Sequence, residues 1–146
     1  MKLLSIMIFS LFMAKGCDPK LNEEMKKTQI EYTAVSRGMY LNINIKDETL
    51  SITTKREENA KVYELTSSDW KELAKLYQTI DLKSLSSYKA PTQKRFYDGA
   101  AIANLRIVYE GKTYESDSFD HGTPPVEISA FVNKIVSFSK DLTHGN

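Results

Sequence analysis

The chain has 146 residues, of which 41% are hydrophobic and 27% charged, and its formal net charge is +1. This length and composition predict one globular domain and exclude a disordered or low-complexity chain. The basic pairs Lys26-Lys27 and Lys55-Arg56 lie within a few residues of acidic side chains. No basic surface of the kind that binds nucleic acid is therefore expected.

Residues 1–16 are predicted to be a signal peptide. Lys2 supplies the positive start, and the apolar run over residues 3–13 has the length of a signal-peptide core. The run is too short for a spanning helix, which needs about 20 residues. Removal of the segment takes away Lys2 and Lys15, which changes the formal charge from +1 to −1.

Cys17 is the only cysteine, and it directly follows the small residue Gly16. This arrangement resembles a lipobox, in which the thiol is diacylated and the cysteine becomes the new N-terminus, although Ala14 and Lys15 stand where a leucine and a small residue are usual. The sequence thus predicts a lipid-anchored cell-envelope protein, on the outer membrane or the periplasmic face. The alternative is ordinary cleavage after Ala14-x-Gly16 and a secreted or periplasmic soluble protein.

The rest of the chain is predicted to form three segments. Residues 17–27 are interpreted as the lipidated cysteine followed by a polar tether, residues 28–140 as a single α+β domain, and residues 141–146 as a disordered tail. The domain contains no cysteine, so its core has to be stable without a disulfide.

Alternating apolar and polar residues predict an antiparallel sheet with one buried and one exposed face. The strands are expected at residues 28–35, 39–46 and 50–55, with a short further candidate at 62–65. A helix follows, capped by Ser67 or Ser68, and a short helical turn over residues 82–88 is expected to cover the sheet edge. A hairpin over residues 100–119 and a last helix from about Val126 complete the order β-β-β-α-β-β-α, an antiparallel sheet of about five strands with two main helices on one face.

The candidate site lies at the ends of that hairpin, because strand ends in a hairpin are neighbours about 5 Å apart. Two interpretations are open. In the functional one, the side chains form an anion or metal site or an acid–base pair. In the structural one, Arg95 bridges Asp98 to Asp120 and joins two loops, with its guanidinium donating to both. The candidate residues are Arg37, Arg95, Tyr97, Asp98, Asp120 and His121.

No motif for a cofactor or a metal is present. The histidines are His121 and His144, and a calcium site built from Asp98, Asp117 and Asp120 matches no EF-hand loop. A Gly-x-Ser-x-Gly elbow and a glycine-rich phosphate loop are also missing, so we expect no bound cofactor. The eight tyrosines could form a platform for a sugar or a peptide, or simply half-buried sheet and loop residues.

A set of short motifs is spread over residues 30–138: Ser36-Arg37-Gly38, Asp69-Trp70, Asp81-Leu82, Ala90-Pro91-Thr92, Arg95, Asp98-Gly99-Ala100, and Phe119-Asp120-His121-Gly122 with Pro124-Pro125. Together they resemble a family of small envelope lipoproteins of flavobacteria and their relatives among the Bacteroidetes. The resemblance implies a Gram-negative envelope protein. It carries no activity and no catalytic residue to this chain.

The first hypothesis is therefore a lipid-anchored, non-enzymatic domain with a binding or structural role, whose partner is an envelope protein, a peptide or a glycan. An exposed apolar or aromatic patch on the sheet face that bears Tyr40, Asn42 and Asn44 would favour it. The alternative is a small hydrolase or metal-dependent enzyme that uses Asp98, Asp120 and His121, which would have to meet around one cleft.

Overall fold

The computed structural model describes residues 19–143, with side chains to residue 140. The predicted signal peptide, Cys17 and residues 144–146 lie outside the described residues. Seven strands form one antiparallel sheet: β1 (Thr28–Val35), β2 (Tyr40–Lys46), β3 (Thr49–Thr53), β4 (Lys61–Glu64), β5 (Ile102–Tyr109), β6 (Lys112–Glu115) and β7 (Phe119–Asp120). The helices are α1 (Pro19–Lys26), α2 (Ser67–Gln78) and α3 (Ser129–Thr143), with short 3-10 helices at Leu82–Ser87, Lys94–Tyr97 and Val126–Ile128.

The predicted α+β class and antiparallel sheet are confirmed, and the strand count is higher than expected. The strand order is β4-β3-β2-β1-β5-β6, and β7 also pairs with β5. The predicted second hairpin strand is split into β6 and β7 at Ser116. The Ser116 hydroxyl accepts the Leu105 N–H at 3.0 Å in place of a backbone carbonyl, which interrupts the regular ladder.

One face of the sheet carries the core, because strict alternation turns every second side chain inward. The central strands β1, β2 and β5 bury their inward residues almost completely, and the buried residues of α2 and α3 belong to the same core. The two helices are joined by Lys134, whose ammonium lies 2.8 Å from Asp69 and 2.9 Å from Glu72. Between the described ends of the chain, no helix is long and apolar enough to cross a membrane.

The predicted polar tether is wrong for residues 19–26, because this segment is helix α1 and belongs to the domain. Leu21 and Met25, one helical turn apart, are buried in the core. The side chain of Asn22 accepts a hydrogen bond from the Trp70 indole at 2.8 Å, and the Glu24 carbonyl accepts one from the Thr28 hydroxyl at 2.7 Å. The domain therefore includes residues 19–26, ahead of the predicted start at residue 28.

Two smaller predictions are also corrected. The helix α2 is capped by Thr66, whose hydroxyl accepts the Asp69 N–H at 3.1 Å, and not by Ser67 or Ser68. The tail was expected to be disordered from residue 141, but α3 continues to Thr143.

The sheet has two distinct ends. At the end where β1 begins, α1 leads into Thr28, which pairs with Tyr109. At the other end, called here the corner end, Val35 pairs with Tyr40 and with Ile102, and Ile102 pairs with Asp120. The corner end therefore carries the candidate residues.

Candidate functional site

A buried carboxylate organises the corner end. The side chain of Asp120 is 1% exposed and lies at the end of β7, beside the 3-10 helix Lys94–Tyr97. Its Oδ2 accepts hydrogen bonds from the Thr92 hydroxyl and, at 2.8 Å, from the Lys94 N–H. Its Oδ1 accepts the Arg95 N–H at 3.0 Å and the Arg95 guanidinium at 3.1 Å. Four donors thus surround one carboxylate, which is about its full acceptor capacity.

These contacts decide the ionisation of Asp120. Burial acts to raise its pKa, but the hydrogen bonds from Thr92 and from the backbone N–H groups of Arg95 and Lys94 outweigh burial. The pKa of Asp120 therefore lies well below its ordinary value, and the group is a stable carboxylate at neutral pH.

Arg95 is the second half of the same buried pair. Its side chain is 6% exposed, and besides Asp120 it donates from Nε to the Ser118 hydroxyl at 3.1 Å and from Nη1 to the Thr92 carbonyl at 2.8 Å. Arg95 thus joins the loop that precedes β5 to the segment that follows β6. The predicted contact between Arg95 and Asp120 is present, and the structural role of Arg95 stays a prediction.

The other half of that prediction is wrong, because Asp98 is not a partner of Arg95. Asp98 has a left-handed backbone conformation, with φ 59°, and ends the 3-10 helix. Its carboxylate lies 4.0 Å from the Arg37 guanidinium, and both side chains are largely exposed, 76% and 92%. Arg37 and Asp98 are therefore neighbours in solvent, outside the buried network.

His121 follows Asp120 in sequence but contacts a different group. Its Nδ1 lies 2.7 Å from the hydroxyl of Tyr32, a fully buried residue of β1. Burial lowers the pKa of His121, and the Lys140 ammonium lowers it further. Burial also raises the pKa of Tyr32 above its ordinary value, so both partners are neutral at pH 7.

The proposed acid–base set of Asp98, Asp120 and His121 is therefore not assembled. Asp98 faces Arg37, Asp120 is saturated by donors, and His121 is hydrogen-bonded to Tyr32. Over residues 19–143, no group of three histidine, cysteine, aspartate or glutamate side chains is placed to hold a metal ion.

Two aromatic residues complete the corner. Phe96 is 72% exposed and Tyr97 is 71% exposed, although both belong to the tightly bonded 3-10 helix. The Arg95 guanidinium lies 4.3 Å from the centre of the Phe96 ring, and a Cβ placed on Gly99 would come within 2.9 Å of the Tyr97 ring. Each ring is thus backed by the loop on one side and open to solvent elsewhere.

The sheet face that bears Tyr40, Asn42 and Asn44 carries one short apolar row, at the corner end, where Val35 pairs with Tyr40 and with Ile102, which is 52% exposed. Its central positions are polar, and the Tyr40 ring is covered by Arg56, whose Cζ lies 5.5 Å from the ring centre. The loop residues Phe96 and Tyr97 are more exposed, at 72% and 71%, and are therefore the stronger candidate for a binding surface.

Sequence reasoning identified Arg95, Asp120 and Tyr97 but missed Tyr32, Ser118 and the exposed role of Phe96. Thr92 was noted only as part of the motif Ala90-Pro91-Thr92. The sequence signal for Ser118 and Thr92 was their residue type, because short hydroxyl side chains in loops often bond to nearby backbone and side-chain groups. Comparison of the chain with protein-family models, curated proteins and solved structures gives no match.

Proposed function

We propose that this protein is a lipid-anchored, non-enzymatic domain of the cell envelope that binds another envelope polypeptide through Phe96 and Tyr97. One observation carries the binding part of the proposal. Two largely exposed aromatic rings stand on a loop that the buried pair of Arg95 and Asp120 holds in place. Rigid aromatic side chains give contact area at little cost in conformational entropy, and they are enriched among residues that dominate binding energy.

The chemistry of the two rings favours a polypeptide over a glycan. Both rings offer apolar contact area, and the neighbouring Arg37 and Asp98 offer both signs of charge, which a neutral glycan would leave unused. A partner segment with an apolar side chain and flanking charges fits this surface. The known contacts of Asp120 and His121 support no hydrolytic reaction.

Attachment through Cys17 is supported by the lipobox-like sequence context of that residue. Only Asp18 lies between Cys17 and Pro19, so the acyl chains and the folded domain are separated by at most about 7 Å of chain. The first helix, and not a tether, would then lie next to the membrane. Fractionation of cells that produce the Cys17→Ser variant tests this: we expect the correctly cleaved variant in the soluble fraction, and membrane retention would contradict lipid anchoring.

The binding site is tested by photo-crosslinking in the protein's own envelope. A photoreactive phenylalanine analogue replaces Tyr97 in one strain and Val62 in another, because Val62 is also exposed, at 63%, but lies on β4. We expect a discrete adduct from position 97 and none from position 62. An adduct that glycosidase removes but protease does not would identify a glycan instead. Equal adducts from both positions, or none, would contradict the site.

A further inference from the structure

A cavity of about 370 Å³ opens at the corner end between α3 and the beginning of β2. Met39 and Leu41 of the β2 segment and Val136 of α3 form its apolar walls. Five residues with polar side chains line the same cavity: Tyr40, Thr54, His121, Ser139 and Lys140. Small-molecule sites in proteins have this character, apolar walls with a few polar groups that fix orientation.

The imidazole of His121 is held in a defined orientation. Its Nδ1 is occupied by the Tyr32 hydroxyl at 2.7 Å, on the buried side. We assign Tyr32 as the donor, because its buried O–H has no other acceptor among the described residues and would otherwise be unsatisfied. The hydrogen of the neutral ring is then on Nε2, so His121 has an N–H donor left for a ligand.

Lys140 adds a positive charge at the same place. Its side chain is exposed, and its ammonium is close enough to His121 to contribute to the lowered pKa of the imidazole, after burial. The side chains of His121 and Lys140 thus line one cavity that also has apolar walls. Together they are complementary to a carboxylate that carries an apolar body.

We propose that the cavity binds a small amphipathic carboxylate, of the class of medium-chain fatty acid anions. The alkyl chain lies against Met39, Leu41 and Val136, and the carboxylate lies between His121 Nε2 and Lys140 Nζ. The cavity also shares Met39, Tyr40 and Thr54 with an open groove of about 530 Å³, which leaves room for a longer chain. This site is separate from Phe96 and Tyr97 and does not depend on the proposed polypeptide partner.

A second cavity of about 370 Å³ gives a natural control. It lies at the other end of the domain, beside Leu21, Tyr77 and Ile80, and is lined by Glu24 as well as Lys20. It has the same volume, but it has no histidine, and its carboxylate opposes an anionic ligand.

The test is titration calorimetry with octanoate and with 1-octanol, on the purified Cys17→Ser protein that has no acyl chains of its own. We expect octanoate to bind and octanol, which lacks the charge, to bind about tenfold more weakly. His121→Phe should weaken octanoate by a similar factor, since it keeps the ring and removes the donor. Val136→Trp fills the cavity and should abolish binding, whereas Ile80→Trp fills the control cavity and should leave binding unchanged.

Several outcomes would overturn the proposal. They are equal affinity for octanol and octanoate, binding that survives Val136→Trp, loss of binding in Ile80→Trp, or no binding to the parent protein. If Val136→Trp does not fold, as judged by circular dichroism, Ser139→Phe fills the same cavity from the next turn of α3 and replaces it in the test.

Discussion

Arg95 and Asp120 form an ion pair at 3.1 Å whose side chains are 6% and 1% exposed, whereas Arg37 and Asp98 lie 4.0 Å apart with side chains 92% and 76% exposed. Both pairs join an arginine to an aspartate at the same end of one sheet. The buried pair is surrounded by further donors and acceptors, and the exposed pair is surrounded by water. The difference shows that burial and additional hydrogen bonds, rather than charge alone, make such a pair structural.

The physical reason lies in the cost of removing charges from water. A buried ion pair has to recover several kcal/mol of lost hydration per ion, and it does so only if its remaining donors and acceptors are satisfied. Asp120 has four donors, and no buried side-chain nitrogen or oxygen among the described residues lacks a partner. An exposed pair pays no such cost and gains little, because water screens the attraction.

The largest expected effect is that of Asp120→Ala. The substitution leaves the buried Arg95 charge without its counter-ion and also removes the acceptor of the Thr92 hydroxyl and of the Lys94 and Arg95 N–H groups. We expect a loss of about 4–5 kcal/mol in the free energy of unfolding, at the upper end for a broken buried pair. Urea denaturation followed by tryptophan fluorescence measures it, and a loss below about 1 kcal/mol would show that the carboxylate is dispensable.

Arg95→Ala should cost less, about 3 kcal/mol, because Asp120 keeps its three other donors when the guanidinium is removed. Arg95→Lys should recover only part of that loss, since an ammonium cannot donate to Asp120, Ser118 and Thr92 in the fixed geometry of the guanidinium. The same urea titration ranks the three proteins. If the urea midpoint of Arg95→Ala equals that of the parent, Arg95 has no structural role.

Acid unfolding tests the buried pair separately. At acidic pH, stability depends on pH only through carboxylates whose pKa differs between the folded and the unfolded state. Burial acts to raise the pKa of Asp120. The hydrogen bonds from Thr92, Arg95 and Lys94 outweigh burial and hold this pKa well below the ordinary 3.8. Because the folded-state pKa is the lower one, this stabilisation is fully present above about pH 4 and is lost as the pH falls further. Asp120→Asn should therefore show a flatter decline in urea midpoint than the parent between about pH 4 and about pH 2.

If the urea midpoints of the parent and of Asp120→Asn decline in parallel, a carboxylate other than Asp120 causes the acid sensitivity. Asp69 is the relevant alternative, because its pKa is also lowered, chiefly by the hydrogen bond from Lys134. It is present in both proteins, so the difference between the two curves isolates Asp120.

The strands were predictable because their signal is local. Alternation over residues 28–35 and 39–46 fixes which side chains turn inward, whatever the rest of the chain does. The closeness of Arg95 and Asp120 was predictable for a similar reason, since a hairpin forces its two ends together. The left-handed turn at Asp98 was not predictable. It depends on backbone geometry that an Asp-Gly pair only suggests, and it directs the carboxylate to Arg37.

Other features depend on partners far away in sequence. Helix α1 has only Leu21 and Met25 as apolar anchors, and it is stable because Trp70 and the core receive it. Tyr32 fits an apolar strand pattern equally well with or without a partner, and its contact with His121 spans 89 positions. Such pairings follow from the folded topology and have no local signature.

The smallest expected effect is that of Arg37→Ala. The side chain is 92% exposed and its distance to Asp98 is 4.0 Å, at the limit of an ion pair. Solvent screening and the entropy of two mobile side chains cancel most of the attraction, so the free energy of unfolding should stay within about 0.5 kcal/mol of the parent. A loss similar to that of Arg95→Ala would mean that the exposed pair also holds the corner together. If stability is unchanged, Arg37 is free to contact a partner beside Phe96 and Tyr97, and Arg37→Ala should then reduce the photo-crosslinked adduct from position 97 without altering the urea midpoint.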